Sequence, residues 1–324
     1  MSVEPRIVFM GTPEFALPTL GQLVERYSVV GVVTQPDRPA GRGRHLEMPP
    51  TKELALAEGI PVFQPARLRD VEAVEHVRAW APDVVVVAAY RQILSPAVLE
   101  IPRYGVLNIH ASLLPRWRGA SPIQGALLAG DEVTGVTIMK MAEGLDTGPI
   151  LAMEETPIDL QETAGDLEDR LARLGADLLM EVLPAYLAGD LVPYPQPEEG
   201  VTITRLVRKS QAHIDWSNPS VALHNQIRAF SPDPGAYTSW DGTRLKILGS
   251  TVIRWDEVTD GDAADGVPGT VFLWQDLPAV ITGGGYLALI HVQMAGKRPM
   301  DGGAFVRGRR DFVGAILGSQ QPGE

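Results

Sequence analysis

At 324 residues the chain is long enough for two domains with their own cores, and 45% apolar with 21% charged residues is a globular composition. A net charge of −12 excludes a protein that coats nucleic acid indiscriminately, and zero cysteines exclude disulfides, a thiolate nucleophile and Cys-based metal clusters. The start, Met1-Ser2-Val3-Glu4-Pro5-Arg6, lacks the basic and apolar regions of a signal peptide, and the longest apolar run, Val84 to Tyr90, is about a third of a membrane span; the expected setting is cytoplasmic.

In chain order, residues 6–10, 29–34, 83–89 and 105–110 are short runs rich in Val and Ile, fit for strands buried on both faces. Helical stretches are expected near 14–26, 49–59, 70–80 and 119–129, between or after those strands. Repeated βα units predict an α/β, Rossmann-like, doubly wound and mostly parallel sheet that binds ligands at the carboxyl ends of its strands. Residues 134–141 alternate apolar and polar, as an edge or mixed strand would. Leu167, Leu171, Leu174, Leu178, Val182 and Tyr186 recur at steps of three and four, predicting an amphipathic helix over 162–188 that Gly189 and Asp190 end.

Residues 193–200 then read as a stiff, proline-rich connector. Beyond it come short strands separated by turn signals such as Asp241-Gly242 and Gly283-Gly284-Gly285, the pattern of a smaller β-barrel or sandwich. The expected division is 1–189 for the α/β catalytic domain, 190–204 for the linker and 205–324 for the barrel. Residues 204–254 hold seven Lys or Arg against three Asp or Glu, and 295–311 hold five against two. Such a locally basic second half suits one negatively charged partner, or equally a solvated mixed surface.

The chemistry is concentrated in 104–122. Asn108 and His110 are two apart on a strand, so both side chains leave one face, and a Pro/Arg/Gly loop follows. In acyl transfer to an amine the tetrahedral intermediate carries a negative oxygen, to which Asn108 can donate a hydrogen bond and protonated His110 can add charge. Asp146, in a second loop with Gly144 and Gly148, can favour that protonated form and relay a proton; by itself it reads equally as an Asx turn. No G-x-G-x-x-G, P-loop, nucleophile elbow or metal-ligand spacing is present, so no metal or nucleotide cofactor is expected. The loop 35–44 carries Arg38, Arg42 and Arg44 among Pro and Gly residues that exclude regular structure; it can grip phosphate or simply be solvated.

These residues carry a resemblance nearly end to end. Gly11-Thr12-Pro13-Glu14-Phe15, the Arg38–Arg44 loop, Asn108-Ile109-His110-Ala111-Ser112-Leu113-Leu114-Pro115, Gly144-Leu145-Asp146-Thr147-Gly148, Ile214-Asp215-Trp216 and Gly296-Lys297-Arg298-Pro299-Met300 resemble the methionyl-tRNA formyltransferase family. The resemblance implies a Rossmann-like domain followed by an oligonucleotide-binding-type (OB-like) barrel, and transfer of formyl from the co-substrate 10-formyltetrahydrofolate to initiator methionyl-tRNA by a monomer. It makes Asn108, His110 and Asp146 catalytic. It sets the folate against Tyr90, Arg91, Gln92, Ile93 and Leu94, against Ser112, Leu113, Leu114 and Pro115, and against Gly144 and Leu145. It gives tRNA contacts to Arg38, Arg42 and Arg44, with Lys209, Arg228, Lys297 and Arg298 from the second domain. Arg91 stands where the family usually has Gly; it would be strained if that position needs positive φ, or useful if it faces the glutamate tail of the folate. Asp233 stands where an aromatic is common.

Overall fold

The computed structural model describes residues 4–40, 45–258 and 266–318. They fall into two compact units, the first made of 1–122, 133–157 and 168–205, the second of 123–132, 158–167 and 206–324. The proline-rich segment thus belongs with the first unit, and two short stretches from the first half belong with the second.

In the order of the chain the elements are β1 (Arg6–Gly11), α1 (Leu17–Arg26), β2 (Ser28–Val33), β3 (Arg38–Ala40), β4 (His45–Glu47), α2 (Pro50–Ala57), β5 (Val62–Phe63), α3 (Val71–Ala79), β6 (Val84–Ala88), α4 (Pro96–Leu99) and β7 (Val106–His110). Next come β8 (Arg118–Gly119), α5 (Pro122–Ala129), β9 (Val133–Lys140), β10 (Ile150–Pro157), α6 (Ala164–Ala188) and β11 (Ile203–Thr204). The seven-stranded sheet runs β10-β9-β7-β6-β1-β2-β5. Its last five strands are parallel, whereas β9 is antiparallel to both neighbours. The chain leaves β1 toward β2 and β5, then returns to the other side for β6 and β7, so the direction of winding reverses between β1 and β6. Ligands of such sheets bind outside the carboxyl ends of the strands near that reversal.

The all-apolar run of β6 and the strand β7, apolar but for Asn108 and His110, are buried on both faces. On one face of β7, Ile109 meets α6 at Gly175, where an added Cβ would come within 2.5 Å of the Ile109 side chain; glycine lets helix and sheet close up. Asn108 and His110 alternate to the opposite face. α6 ends where Gly189 takes φ 85° and Asp190 N–H bonds back to Ala185.

The strand expected over 134–141 takes the mixed rather than the edge form: β9 runs antiparallel in an otherwise parallel sheet, and β10 covers its outer side; Glu154 and Glu155 are exposed on that edge and hide the β10 signature. One expectation is corrected. The arginine loop is not wholly irregular: β3 and β4 pair as a short antiparallel hairpin, and a two-stranded ribbon tolerates Pro39 because one side of each strand needs no donor.

The second unit contains α7 (Ser220–Ala229), β12 (Ala236–Trp240), β13 (Thr243–Ile253), β14 (Val271–Trp274), β15 (Leu277–Ile281), β16 (Tyr286–Met294), β17 (Met300–Asp301) and α8 (Gly302–Gly308). Its antiparallel sheet has the order β12-β13-β16-β15-β14, with β17 added to β16. Trp240, Phe305 and Phe312 pack edge to face at its core, with ring centroids 4.9–5.8 Å apart. Among the described residues no helix is long and apolar enough to cross a membrane.

Candidate active site

β7 delivers Asn108 and His110 to the carboxyl end of the parallel sheet, 9% and 6% exposed. The Asn108 side-chain amide has no hydrogen-bond partner among the described residues. Its atoms are not among the buried unpartnered polar atoms, so the amide keeps an open side that a ligand can reach. His110 Nε2 lies 3.0 Å from the Trp117 carbonyl oxygen, and since a carbonyl only accepts, Nε2 carries the hydrogen. Nδ1 faces Asp146 Oδ2 at 3.8 Å. A neutral ring would turn a lone pair toward that carboxylate, whereas an imidazolium would turn a second N–H toward it.

The chain beyond β7 is built to present Trp117. Thr137 Oγ1 on β9 donates to Ser112 O (2.6 Å) and accepts from Leu114 N (3.1 Å), and Ser112 Oγ donates to Arg116 O at 2.6 Å. Trp117 takes φ 57° and its N–H donates to Thr202 Oγ1 at 2.7 Å. Two residues on, Gly119 N donates to Asp146 Oδ2 at 2.8 Å. An added Cβ at Gly119 would lie 2.3 Å from Thr204 O, so glycine is required where β8 meets β11. Asp146 itself sits at φ 50°, a conformation Asp tolerates better than Trp does.

The folate set separates into inward and outward residues. Tyr90 and Leu94 are buried beside Leu68 and Val98, and burial pushes the Tyr90 phenol, whose oxygen has no partner, well above its usual range. Gln92 ties the segment down, accepting from Leu68 N (2.8 Å) and donating to Pro65 O (3.1 Å). Ile93 is 90% exposed and Leu145 is 53% exposed, two apolar side chains left facing outward. Arg91 is exposed and adopts φ 65°, so the position does need positive φ. Burial raises the Glu168 carboxyl above its usual range, and the nearby Arg91 charge opposes that rise. Ser112, Leu114 and Pro115 are buried, with Leu114 packed on Met139 and Ile150. Leu113 is partly exposed and Gly144 exposed.

Of the tRNA set, Arg38, Lys209, Lys297 and Arg298 are exposed, Arg38 also donating to Gln35 Oε1 at 3.1 Å. Arg42 and Arg44 lie outside the described residues. Arg228 is a correction: it is 6% exposed and bonds Asn225 Oδ1 (3.1 Å) and Asp159 O (3.2 Å). Burial pulls its pKa below the ordinary value, with Glu162 and Asp159 opposing. Two of its five N–H donors are spent on those acceptors, and at 6% exposure the guanidinium presents little surface to a phosphate.

Three residues of the site went unrecognised in the sequence. Thr202, Thr204 and Gln196 come from the proline-rich segment, which looks like a passive connector. Gln196 bonds Asp146, Gly148 and Arg118, and its signal was an amide set between two prolines. A cavity of about 620 Å³ opens beside it, lined by Arg118, Thr147, Pro149, Pro195, Gln196 and Val201.

Comparison with known proteins shows the family of the chain. The formyl transferase family model matches residues 5–183, and the model of the formyl transferase C-terminal domain matches 206–310. Methionyl-tRNA formyltransferase of Myxococcus xanthus is 47% identical over 308 residues, 95% of this chain and 96% of that protein. The enzyme of the same name from Halorhodospira halophila is 49% identical over 308 residues, covering 94% and 96%. Among solved structures, an N-formyltransferase from Helicobacter canadensis is similar with a TM-score of 0.65 at 18% identity, over 90% of this chain and all of that one. HypX from Aquifex aeolicus gives 0.64 at 18% identity, over 96% of this chain and 48% of that one. At such identities these two speak for the fold alone. Identity near one half along almost the whole length, with both family domains in place, shows that the chain belongs to the methionyl-tRNA formyltransferase family.

Proposed function

We propose that this chain transfers the formyl group of 10-formyltetrahydrofolate to the α-amino group of initiator methionyl-tRNA, with Asn108, His110 and Asp146 as its catalytic set. The observation that carries the reading is the unpartnered Asn108 amide beside an imidazole held between a carbonyl and a carboxylate. The unprotonated amine attacks the formyl carbon, a C–N bond forms, and the carbonyl electron pair moves to oxygen. Asn108 and the His110 imidazolium stabilise that oxyanion; losing one such donor typically costs about 10²–10³ in kcat. When the intermediate collapses, the bond to folate N10 breaks, N10 gains a proton and the amine loses one. Asp146 serves that exchange and keeps His110 oriented.

The folate lies against the main chain of Tyr90–Leu94 and of Gly144–Leu145, with Ile93 and Leu145 covering it; this accounts for two outward apolar side chains on otherwise well-packed loops. Exposed Arg38, Lys209, Lys297 and Arg298 meet tRNA phosphates, and Arg42 and Arg44 join them on the strength of the sequence. The chain acts as a monomer in the cytoplasm, where initiator tRNA is charged.

The test is transfer of labelled formyl from 10-formyltetrahydrofolate to initiator methionyl-tRNA, beside elongator methionyl-tRNA and a sample with no acceptor. Formylation confined to the initiator is expected. Formate release without acceptor, or no transfer to either tRNA by folded protein, would sink the reading.

A further inference from the structure

Asp146 stands on a segment without regular structure, at φ 50°, flanked by exposed Gly144, Leu145 and Thr147. Nothing in that local sequence fixes where its carboxylate points. The fixing comes from Gln196, 50 residues away. Its Nε2 donates to Asp146 O at 2.7 Å and to Gly148 O at 2.8 Å, while its Oε1 accepts from Arg118 Nη2 at 2.7 Å and Nε at 3.1 Å. A primary amide has two donors and two acceptor lone pairs, and here all four are used.

These bonds close a ring. Gln196 holds the Asp146 main chain, the Asp146 carboxylate accepts from Gly119 N, and the neighbouring Arg118 side chain returns to Gln196. Residue 117, which gives His110 its other partner, directly precedes Arg118. Both groups that orient the imidazole, the Trp117 carbonyl and the Asp146 carboxylate, are therefore carried by one hydrogen-bonded frame. The frame also rests on a tight backing: an added Cβ at Gly148 would lie 1.9 Å from Lys140 O, so the peptide that Gln196 grips sits directly on the end of β9.

We propose that Gln196 is a positioning residue for formyl transfer, holding Asp146 and, through Arg118, the Trp117 turn in register with His110. The inference rests on the reading of Asp146 as a member of the catalytic set. The family matches end at 183 and resume at 206, so Gln196 lies in the stretch between them.

The experiment uses the full chain and two variants. Gln196→Met keeps the length and removes all four bonds. Gln196→Glu keeps the acceptor for Arg118 and turns both donations into repulsion of carbonyl oxygens, so it serves if the first variant folds poorly. Displacing a catalytic group by a fraction of an ångström to 1 Å costs on the order of 10- to 100-fold in rate. The expected result is a kcat per folded molecule lower by about that factor, with KM for the formyl folate unchanged. Asp146→Asn and the double variant complete a cycle. If Gln196 acts through Asp146, the second substitution costs little once the first is made. Full additivity, or a loss seen only in KM or in stability, would overturn the proposal. A normal kcat in Asp146→Asn alone would instead overturn the catalytic reading on which it rests.

Discussion

Two nearly buried histidines, one in each unit, separate what a structural imidazole looks like from what a working one looks like. His110 and His224 are 6% and 9% exposed. Each donates from Nε2 to a main-chain carbonyl, Trp117 O at 3.0 Å and Leu160 O at 2.8 Å. They differ at Nδ1. His224 meets the Ser250 hydroxyl at 3.0 Å, a neutral group that can donate to it, and burial with the nearby Arg228 charge keeps its pKa below the ordinary value. His110 faces a carboxylate at 3.8 Å and shares its strand face with an unpartnered amide. Burial and a carbonyl partner are common to both; the difference lies in whether the second nitrogen meets a closed or an open end.

The largest effect expected from breaking the comparison is functional. His110→Ala should lower kcat by about 10²–10³ or more, as should Asp146→Ala, with tRNA affinity and the unfolding midpoint little changed. Near-normal turnover in either variant would erase the distinction. His224→Ala should do the reverse. It orphans the Leu160 carbonyl and opens a cavity, costing about 2–4 kcal/mol of stability in the second unit, while turnover per folded molecule is retained. Urea unfolding followed beside single-turnover formyl transfer reads both.

The same pair separates by pH. His224 has a folded pKa below the unfolded value of 6.5. The unfolded chain therefore takes up a proton first as pH falls, so the stability His224 contributes is fully present above about 6.5 and drains away below it until the folded pKa is reached. The gap in unfolding free energy between the parent chain and His224→Gln should narrow between about pH 7.5 and about pH 5.5. A gap that widened on acidification would mean the buried ring is held charged.

The arginines give a smaller contrast of the same kind. Arg228→Ala should destabilise the second unit by about 1–3 kcal/mol, because Asn225 Oδ1 and Asp159 O lose their donor, and should leave the salt dependence of tRNA binding as it was. Lys297→Ala and Arg298→Ala, both on exposed side chains, should leave stability alone and lower the salt slope by about one unit each. Unchanged slopes would remove that turn from the tRNA surface.

What was legible in the sequence follows from the range of the interactions concerned. β6, β7 and the face shared by Asn108 and His110 are properties of four or five consecutive residues, and alternation writes them into the chain directly. The end of α6 at Gly189 is equally local. β10 escaped because an edge strand with Glu154 and Glu155 turned to solvent has no apolar alternation to show. Arg228 was misread because the resemblance and the local basic charge both mark a cation, and neither can see Asn225 and Asp159 folding around it. The Gln196 frame escaped for the most general reason: its partners are 50 and 78 residues away, and a hydrogen bond leaves no periodicity in the sequence.

Arg91 gives the smallest effect and the finest test of where the site's strain is useful. Left-handed backbone costs an L-residue about 1–2 kcal/mol, and glycine removes most of that while adding some unfolded-state entropy. Arg91→Gly should therefore stabilise the first unit by about 1 kcal/mol. The Arg91 charge already has one acidic neighbour in Glu168, whose carboxyl burial raises and Arg91 holds down. An anionic glutamate tail would share the guanidinium's field with that carboxyl. On the proposed placement of the folate against main chain and Ile93, KM for 10-formyltetrahydrofolate should stay the same in Arg91→Gly. A severalfold rise in KM, with the gain in stability intact, would assign the Arg91 side chain to the folate tail and make its backbone strain the cost of a contact.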